Sequence, residues 1–352
     1  MGEAMKIQEL LAEACRQEAS DLHLVSWSPP IMRVNGVLVP MDLPQLAPAE
    51  ISPMLIGLLN EEQKKRFVRD WELDISLTVR EIGRFRVNLH RERGAIEGAF
   101  RIVDDKVRTV RQLGMPTVIE ELARRETGLV LITGPTGSGK STTLAAMIDQ
   151  INQERRCMII TIEDPIEYLF RHKNSIVKQR EVGLDTKSFA IALRESLRQD
   201  PDVIVVGEMR DLETIQTALT AAETGHMVLA TIHTPDVTQT IDRIVDVFPP
   251  YQQEQVRIQF ANTVQGIVAQ QLLPIPGGKG RVVACEVLIA TLAVRKILRS
   301  GKSEQITTTI QTGTELGMVT MDKSLKLLYQ RGLVSYDTAL AKCRFPESFD
   351  KI

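Results

Sequence analysis

Beyond residue 127 the chain carries four short runs that are apolar almost without interruption: 128–133, 157–162, 203–206 and 227–232. A strand covered on both faces reads this way, whereas a strand with one wet face alternates. Between the runs, Phe189, Ala192, Leu193, Ser196 and Leu197 recur at helical spacing over 187–199, and Ile215, Ala218, Leu219 and Ala222 do so over 212–223. Strands alternating with helices predict an α/β fold with a mostly parallel, wound sheet. Helices are predicted next over 240–248 and 252–266, with Pro249-Pro250 breaking between them. After a flexible turn at 274–280, a strand follows over 281–289, and helices over 292–298, 305–312, 321–331 and 336–342 make a C-terminal helical segment from about residue 291 to 352.

The first hundred residues have a different rhythm. Ile7, Leu10, Leu11 and Ala14 place an amphipathic helix over 5–18. A strand over 21–25 turns at Ser28-Pro29-Pro30 into a hairpin over 31–39, for which Asn35-Gly36 supplies the tight turn. Past a proline-punctuated stretch, helices over 49–59 and 61–70 lead to strands over 73–79, 84–90 and 98–103, the first two separated at Gly83. This is a small α+β domain, residues 1–103. The polar stretch 104–116, ending in Gly114-Met115-Pro116, is predicted as a linker and hinge, and 117–352 form the second domain.

Composition narrows the function. With 352 residues and 43% hydrophobic content there is ample core for two domains. A net charge of −2, with no aromatic-interleaved basic patch, gives no pull toward nucleic acid. The four cysteines, Cys15, Cys157, Cys285 and Cys343, lie far apart and read as reduced thiols. No segment approaches the roughly 20 apolar residues that span a bilayer, and the start of the chain is unlike a signal peptide, so any work at a membrane requires recruitment.

The chemistry gathers where the first apolar run ends. Gly134-Pro135-Thr136-Gly137-Ser138-Gly139-Lys140-Ser141 matches the phosphate-loop pattern G-x-x-x-x-G-K-[ST], with a strand before it and helix-forming Leu144-Ala145-Ala146-Met147 after it. Glycines let successive N–H groups converge on one anion, and the helix from Lys140 adds its positive end. The predicted nucleotide contacts are Gly134, Thr136, Gly137, Ser138, Gly139, Lys140, Ser141 and Thr142, with Lys140 bridging the β- and γ-phosphates and Ser141 holding Mg²⁺. The other three runs each end in polar residues: Glu163-Asp164, Gly207-Glu208 and His233-Thr234. In open α/β sheets the ligand sits at that edge. Glu208 is read as the acid that holds Mg²⁺ through water, and Glu163 as the carboxylate that polarises the attacking water. Asp164 is either part of that chemistry or a turn cap, and His233 is either a γ-phosphate sensor or a satisfied core histidine. His226 has a weaker claim to the same role, and Arg210-Asp211 is either a salt-bridged helix start or a further phosphate contact. In the first domain Arg84, Arg86, Arg91 and Arg93 crowd one strand and its exit, either as a solvated basic face or as guanidinium groups that reach a phosphate on a neighbouring subunit. His23 is predicted to pair with Asp21.

With these residues in view, the chain resembles the PilT-type retraction ATPases of type IV pili, within the type II/IV secretion superfamily, over nearly its whole length. The resemblance rests on Ala19-Ser20-Asp21-Leu22-His23-Leu24, Gly83-Arg84-Phe85-Arg86-Val87-Asn88, the phosphate loop, Thr161-Ile162-Glu163-Asp164-Pro165-Ile166-Glu167-Tyr168, Gln179-Arg180-Glu181-Val182, Val206-Gly207-Glu208-Met209-Arg210-Asp211 and Ala221–His226 through His233-Thr234. It implies a PAS-like N-terminal domain, a RecA-like ATPase domain using ATP and Mg²⁺, and a homo-hexamer in which Arg84 and Arg86 of one subunit complete the neighbour's site. It further implies a cytoplasmic place at the inner face of the bacterial inner membrane, reached through a pilus platform protein there. Extension-type motors carry a tetracysteine insertion after the His233 region, and Gln270–Gly280 lacks it, which favours retraction. Retraction motors also carry a helix reading roughly A-I-R-N-L-I-R-E. Here Ala293–Ser300 keeps Arg295 and Arg299 but has Lys296 and Ser300 at the asparagine and terminal glutamate positions, so a paralogue with weaker motor activity and a nucleotide-dependent scaffold stand as alternatives.

Overall fold

The computed structural model describes residues 6–34, 36–103, 106–277 and 280–351, apart from the side chains of 348, 350 and 351. The predicted Asn35 turn position, Asp104 and Asp105 of the predicted linker, and Gly278-Lys279 lie outside the described residues. The chain divides into two compact units, Met1–Asp105 and Lys106–Ile352.

The first unit runs α1 (Ile7–Arg16), β1 (Asp21–Leu24), β2 (Ile31–Val34), β3 (Val37–Pro40), α2 (Pro48–Ile56), α3 (Glu61–Asp70), β4 (Glu72–Val79), β5 (Gly83–Glu92) and β6 (Ala95–Ile102). Its six strands pair antiparallel in the order β3-β2-β1-β6-β5-β4. On β5 the period of two is plain: Phe85, Val87 and Leu89 are buried, while Arg84, Arg86 and Asn88 point the other way, Arg86 exposed. Helix α2 lies close over β6, because a Cβ at Gly98 would come within 3.0 Å of Leu55. Asp21 does not take His23 as its hydrogen-bonding partner. It accepts from Ser20 Oγ at 2.8 Å and Arg101 Nε at 3.0 Å, since Arg101 stands directly across from it on β6, and His23 Nε2 is buried without a hydrogen bond.

The second unit runs α4 (Val118–Ala123), β7 (Gly128–Thr133), α5 (Lys140–Glu154), β8 (Met158–Glu163), β9 (Ile176–Glu181), α6 (Phe189–Ser196), β10 (Val203–Val206), α7 (Leu212–Glu223), β11 (Met227–Ile232), α8 (Val237–Asp246), α9 (Pro250–Thr263), β12 (Val264–Pro274), β13 (Arg281–Ile289), α10 (Leu292–Ser300), α11 (Ile306–Thr312), α12 (Met321–Gln330) and α13 (Tyr336–Lys342). The sheet order is β13-β12-β7-β11-β10-β8-β9, parallel except for the β12–β13 pair. Both faces are covered. On β7, Leu129 and Leu131 join the core beneath α7 and α9, while Val130 and Ile132 join the core beneath α4 and α5. This is why the strand reads as an unbroken apolar run.

Two strands differ from the sequence reading. Residues 264–266 open β12 instead of closing a helix, and β12 continues to Pro274 between β7 and β13. Its Ala, Gln and Leu residues favour helix locally, but burial between two strands overrides that preference. Edge strand β9 carries lysine, glutamine, arginine and glutamate, which mask its register beside β8. Within 104–116, Val110 and Met115 are buried in the second unit's core.

Candidate functional site

The phosphate loop is shaped by three glycines with positive φ: Gly134 at 141°, Gly137 at 78° and Gly139 at 89°. Gly134 must lack a Cβ, which would lie 2.6 Å from the Ser138 hydroxyl and closer still to the Gln270 carbonyl. A Cβ on Gly137 would meet nothing, so the chain itself leaves the space above that residue open. Gln270 of β12 clamps the loop from below: its Nε2 donates to the Ser138 carbonyl at 2.7 Å and its Oε1 accepts from Thr143 Oγ1 at 2.9 Å. Thr143 Oγ1 also lies 3.2 Å from the Met115 sulfur.

Lys140 is buried, and its Nζ donates to the carbonyls of Gly134 at 2.9 Å and Pro135 at 3.0 Å. Burial holds the ammonium below the ordinary lysine range, against the opposing pull of Glu208 and Glu167. The cation is thus held against its own loop by two carbonyls, with Glu208 and Glu167 offsetting only part of the cost of its burial. An anion seated above Gly137 would relieve that desolvation.

Glu163 ends β8, Glu208 follows β10 by two residues and His233 follows β11 directly. All three line one cleft of about 380 Å³ with Thr136, Gly137, Gly139, Lys140, Ser141 and Thr142. Gly134 and Ser138 support the loop from outside that lining. His233 Nε2 lies 3.2 Å from Glu208 Oε2, and its Nδ1 lies 3.3 Å from Thr136 Oγ1. Arg210 forks onto both Glu208 oxygens, its Nη2 at 2.6 Å from Oε2. Burial pushes the Glu208 carboxyl up, but Arg210 and His233 outweigh it and leave the group below the usual glutamate range. For Glu163 the balance is reversed: burial raises its pKa despite hydrogen bonds from Thr161 Oγ1 at 2.6 Å and Gln179 Nε2 at 3.1 Å. Two neighbouring acids are therefore pushed in opposite directions, the pattern of sites that assign different roles to each.

The same cleft is also lined by the apolar side chains of Leu144, Ile148, Phe170 and Leu272, and by Arg281. A nucleoside triphosphate fits this lining, which joins a cationic, glycine-rich loop suited to phosphates with apolar side chains suited to a base. The donor set also suits Mg²⁺, which takes a few oxygen ligands and keeps waters, through the Ser141 hydroxyl and Glu208. The sequence assigned no role in the site to Gln179, Gln270 or Tyr168, although Gln179 and Tyr168 stand in stretches that carry the resemblance; the Tyr168 hydroxyl lies 2.9 Å from Thr142 Oγ1. Gln179 and Gln270 sit on the two strands that the apolar pattern did not reveal. Asp164 joins Pro165 through a cis peptide bond at the rim of the cleft. His226 is engaged by its own helix end, with Nδ1 3.0 Å from the Ala221 carbonyl. Arg84 and Arg86 belong to the first unit, where Arg84 Nη1 donates to Thr78 Oγ1 at 3.2 Å.

On α10 the two retained arginines grip the end of α9. Arg295 donates to the carbonyls of Ala261 and Asn262, and Arg299 Nη1 lies 3.5 Å from Asn262 Oδ1, a cation at a helix C-terminus. Lys296 and Ser300, the departing positions, are exposed.

Comparison with known proteins identifies the family. Residues 4–313 match the family model described as type II/IV secretion system protein. The type IV pilus retraction ATPase PilT of Pseudomonas aeruginosa is 47% identical over 98% of this chain and all of its own. A twitching motility protein of Neisseria gonorrhoeae is 42% identical over 98% of this chain and 92% of its own. The crystal structure of the pilus retraction motor PilT with bound ADP superposes with a TM-score of 0.90 at 47% identity, covering 99% of this chain and 100% of that one.

Proposed function

This chain belongs to the type II/IV secretion system protein family, and from that premise we propose that it is a motor whose ATP hydrolysis powers type IV pilus retraction. The single observation that carries the reading is the convergence of Lys140, Glu163, Glu208 and His233 on one cleft. Bound Mg·ATP would supply a phosphoanhydride to be cleaved and a divalent charge that draws electrons from it. Lys140 and the N-terminus of α5 would stabilise the β- and γ-phosphates, together with the backbone N–H groups of Gly137 and Gly139. Ser141 and Glu208 would hold the metal, Glu208 through a water ligand. Glu163, its pKa raised by burial, is suited to take a proton from the attacking water. His233 touches both Glu208 and Thr136 of the loop, contacts that suit it to sense a γ-phosphate.

In this reading six copies form a ring, and Arg84 and Arg86 from one subunit enter the neighbour's site, where the planar fork of arginine suits phosphate oxygens. The hinge is proposed to lie in the 104–116 stretch ahead of Val110, which packs into the second unit's core. The ring is proposed to work at the cytoplasmic face of the inner membrane on a pilus platform protein, with no nucleic-acid partner; among the described residues no helix is long and apolar enough to cross a membrane. The enzymatic test is phosphate release by purified protein with and without Mg²⁺: Lys140→Ala and Glu208→Gln should each abolish turnover, and native rates in either would defeat the assignment. The cellular test is a deletion strain, which should carry excess, immobile surface pili. Bald cells would mean extension instead.

A further inference from the structure

We propose that Gln179 is a positioning residue for hydrolysis, holding the Glu163 carboxylate and fastening it to the loop 164–170 that borders the phosphate-binding helix. The proposal rests on the reading of Glu163 as the base.

Three hydrogen bonds fix the Gln179 amide. Its Nε2 donates to Glu163 Oε1 at 3.1 Å and to the Tyr168 carbonyl at 2.8 Å, and its Oε1 accepts from the Phe170 N–H at 2.9 Å. A flipped amide would set oxygen against a carboxylate and a carbonyl, and NH₂ against an N–H, so only one orientation is tenable. The same carboxylate oxygen of Glu163 accepts from Thr161, which fixes it from its own strand. Gln179 fixes it from the next strand, where β8 and β9 run in parallel register. The loop held by the other two bonds carries Tyr168, whose hydroxyl meets Thr142 Oγ1, one residue past Ser141. Gln179 therefore joins the base to a segment that contacts the phosphate-binding helix, and does so without touching the nucleotide cleft itself.

The charged surroundings of Glu163 are mixed. Glu167 on the loop opposes its ionisation, while the Thr161 and Gln179 side chains and the Glu167 backbone favour it. Asp164 adjoins it and Glu181 stands opposite it on β9, whereas Glu208, His233 and Lys140 line the same cleft, with Arg210 forked onto Glu208. Against that background, the loss of one donor to the carboxylate shifts its proton affinity upward.

The experiment measures steady-state ATPase of the full chain against pH, beside binding of a fluorescent ADP analogue, for native protein, Gln179→Met, Gln179→Glu and Glu163→Gln. Gln179→Met should lower kcat about 10- to 100-fold, keep KM within about threefold and move the acid limb of the kcat profile to higher pH. Gln179→Glu keeps an acceptor for the Phe170 N–H but has no donor for Glu163, and two facing carboxyls then share a proton, so its limb should move further in the same direction. If Gln179→Met cannot bind the analogue, Gln179→Glu decides by the same readings. Native kcat and limb in the variants, with Glu163→Gln inactive, would overturn the proposal while leaving the base intact. Loss of analogue binding and kcat together with an unmoved limb would make Gln179 a structural residue only, and would also overturn it. Native turnover in Glu163→Gln would instead remove the base reading itself.

Discussion

The two glycines Gly134 and Gly137 stand three residues apart in one loop, yet alanine should damage the protein in different ways at each. At Gly134 the φ of 141° is foreign to L-residues, and the new methyl would run into the backbone carbonyl of Gln270 and the Ser138 hydroxyl. Strain of this kind costs about 1–3 kcal/mol. Forcing a methyl against backbone costs about 1–3 kcal/mol more, because neither β12 nor the loop can give way without breaking the Gln270 clamp. The sum, about 2–6 kcal/mol, lowers the melting temperature of a unit this size by about 5–20 °C. At Gly137 the φ of 78° costs alanine about 1 kcal/mol, but the methyl projects into open space. The fold should lose about 2–4 °C there, while the methyl occupies the position over which a phosphate must settle. Scanning calorimetry without nucleotide, followed by titration with ADP, separates the two effects. Gly134→Ala should melt early, and Gly137→Ala should melt near the native temperature yet lose nearly all of its nucleotide-induced stabilisation. Equal melting temperatures for the two variants, or a nucleotide-dependent shift in Gly137→Ala as large as the native one, would refute the account of the loop.

Other outcomes test other parts of the molecule. Burial raises the Glu163 pKa above its ordinary 4.5, so its contribution to stability is fully present below the unfolded value and is lost as pH rises through the folded one. Glu163→Gln should therefore gain stability relative to native protein as pH rises from below the ordinary glutamate value of 4.5 through the higher folded one, and a difference that stays constant from acid to neutral pH would contradict it. Cys285 is wholly buried, with its thiol pushed up to about 12, so maleimide labelling read by mass spectrometry should miss it until the protein unfolds, and prompt labelling in native protein would argue against the packing of β13. If the site is shared between subunits, mixing Arg86→Ala with Lys140→Ala protein should recover turnover that neither has alone, and mixtures as inactive as their components would count against the shared site.

What the sequence disclosed was set by burial on both faces. Strands β7, β8, β10 and β11 are apolar throughout because helices cover both sides, and each delivers a polar residue to the same sheet edge, so Lys140, Glu163, Glu208 and His233 were legible together. Strands β9 and β12 were not. The first is a polar edge and the second is spelled in helix-favouring residues, so its strand character comes from its neighbours rather than from its own pattern. The contacts of their glutamines, Gln179 and Gln270, were hidden with them, although the one holds the Glu163 carboxylate and the other the phosphate loop. Asp21 was assigned the wrong partner for a related reason: Arg101 lies 80 residues away, and only the β1–β6 register brings it across.

The Gln270 clamp has a consequence for how the chain is made. A nascent chain that has emerged as far as Ile232 already carries the whole phosphate-loop motif and the strand edge that presents Glu163 and Glu208, but nothing yet holds the underside of the loop. Competence to capture nucleotide should then arrive late in synthesis, when β12 slots in beside β7, and a ribosome stalled before that point would display the motif without the affinity.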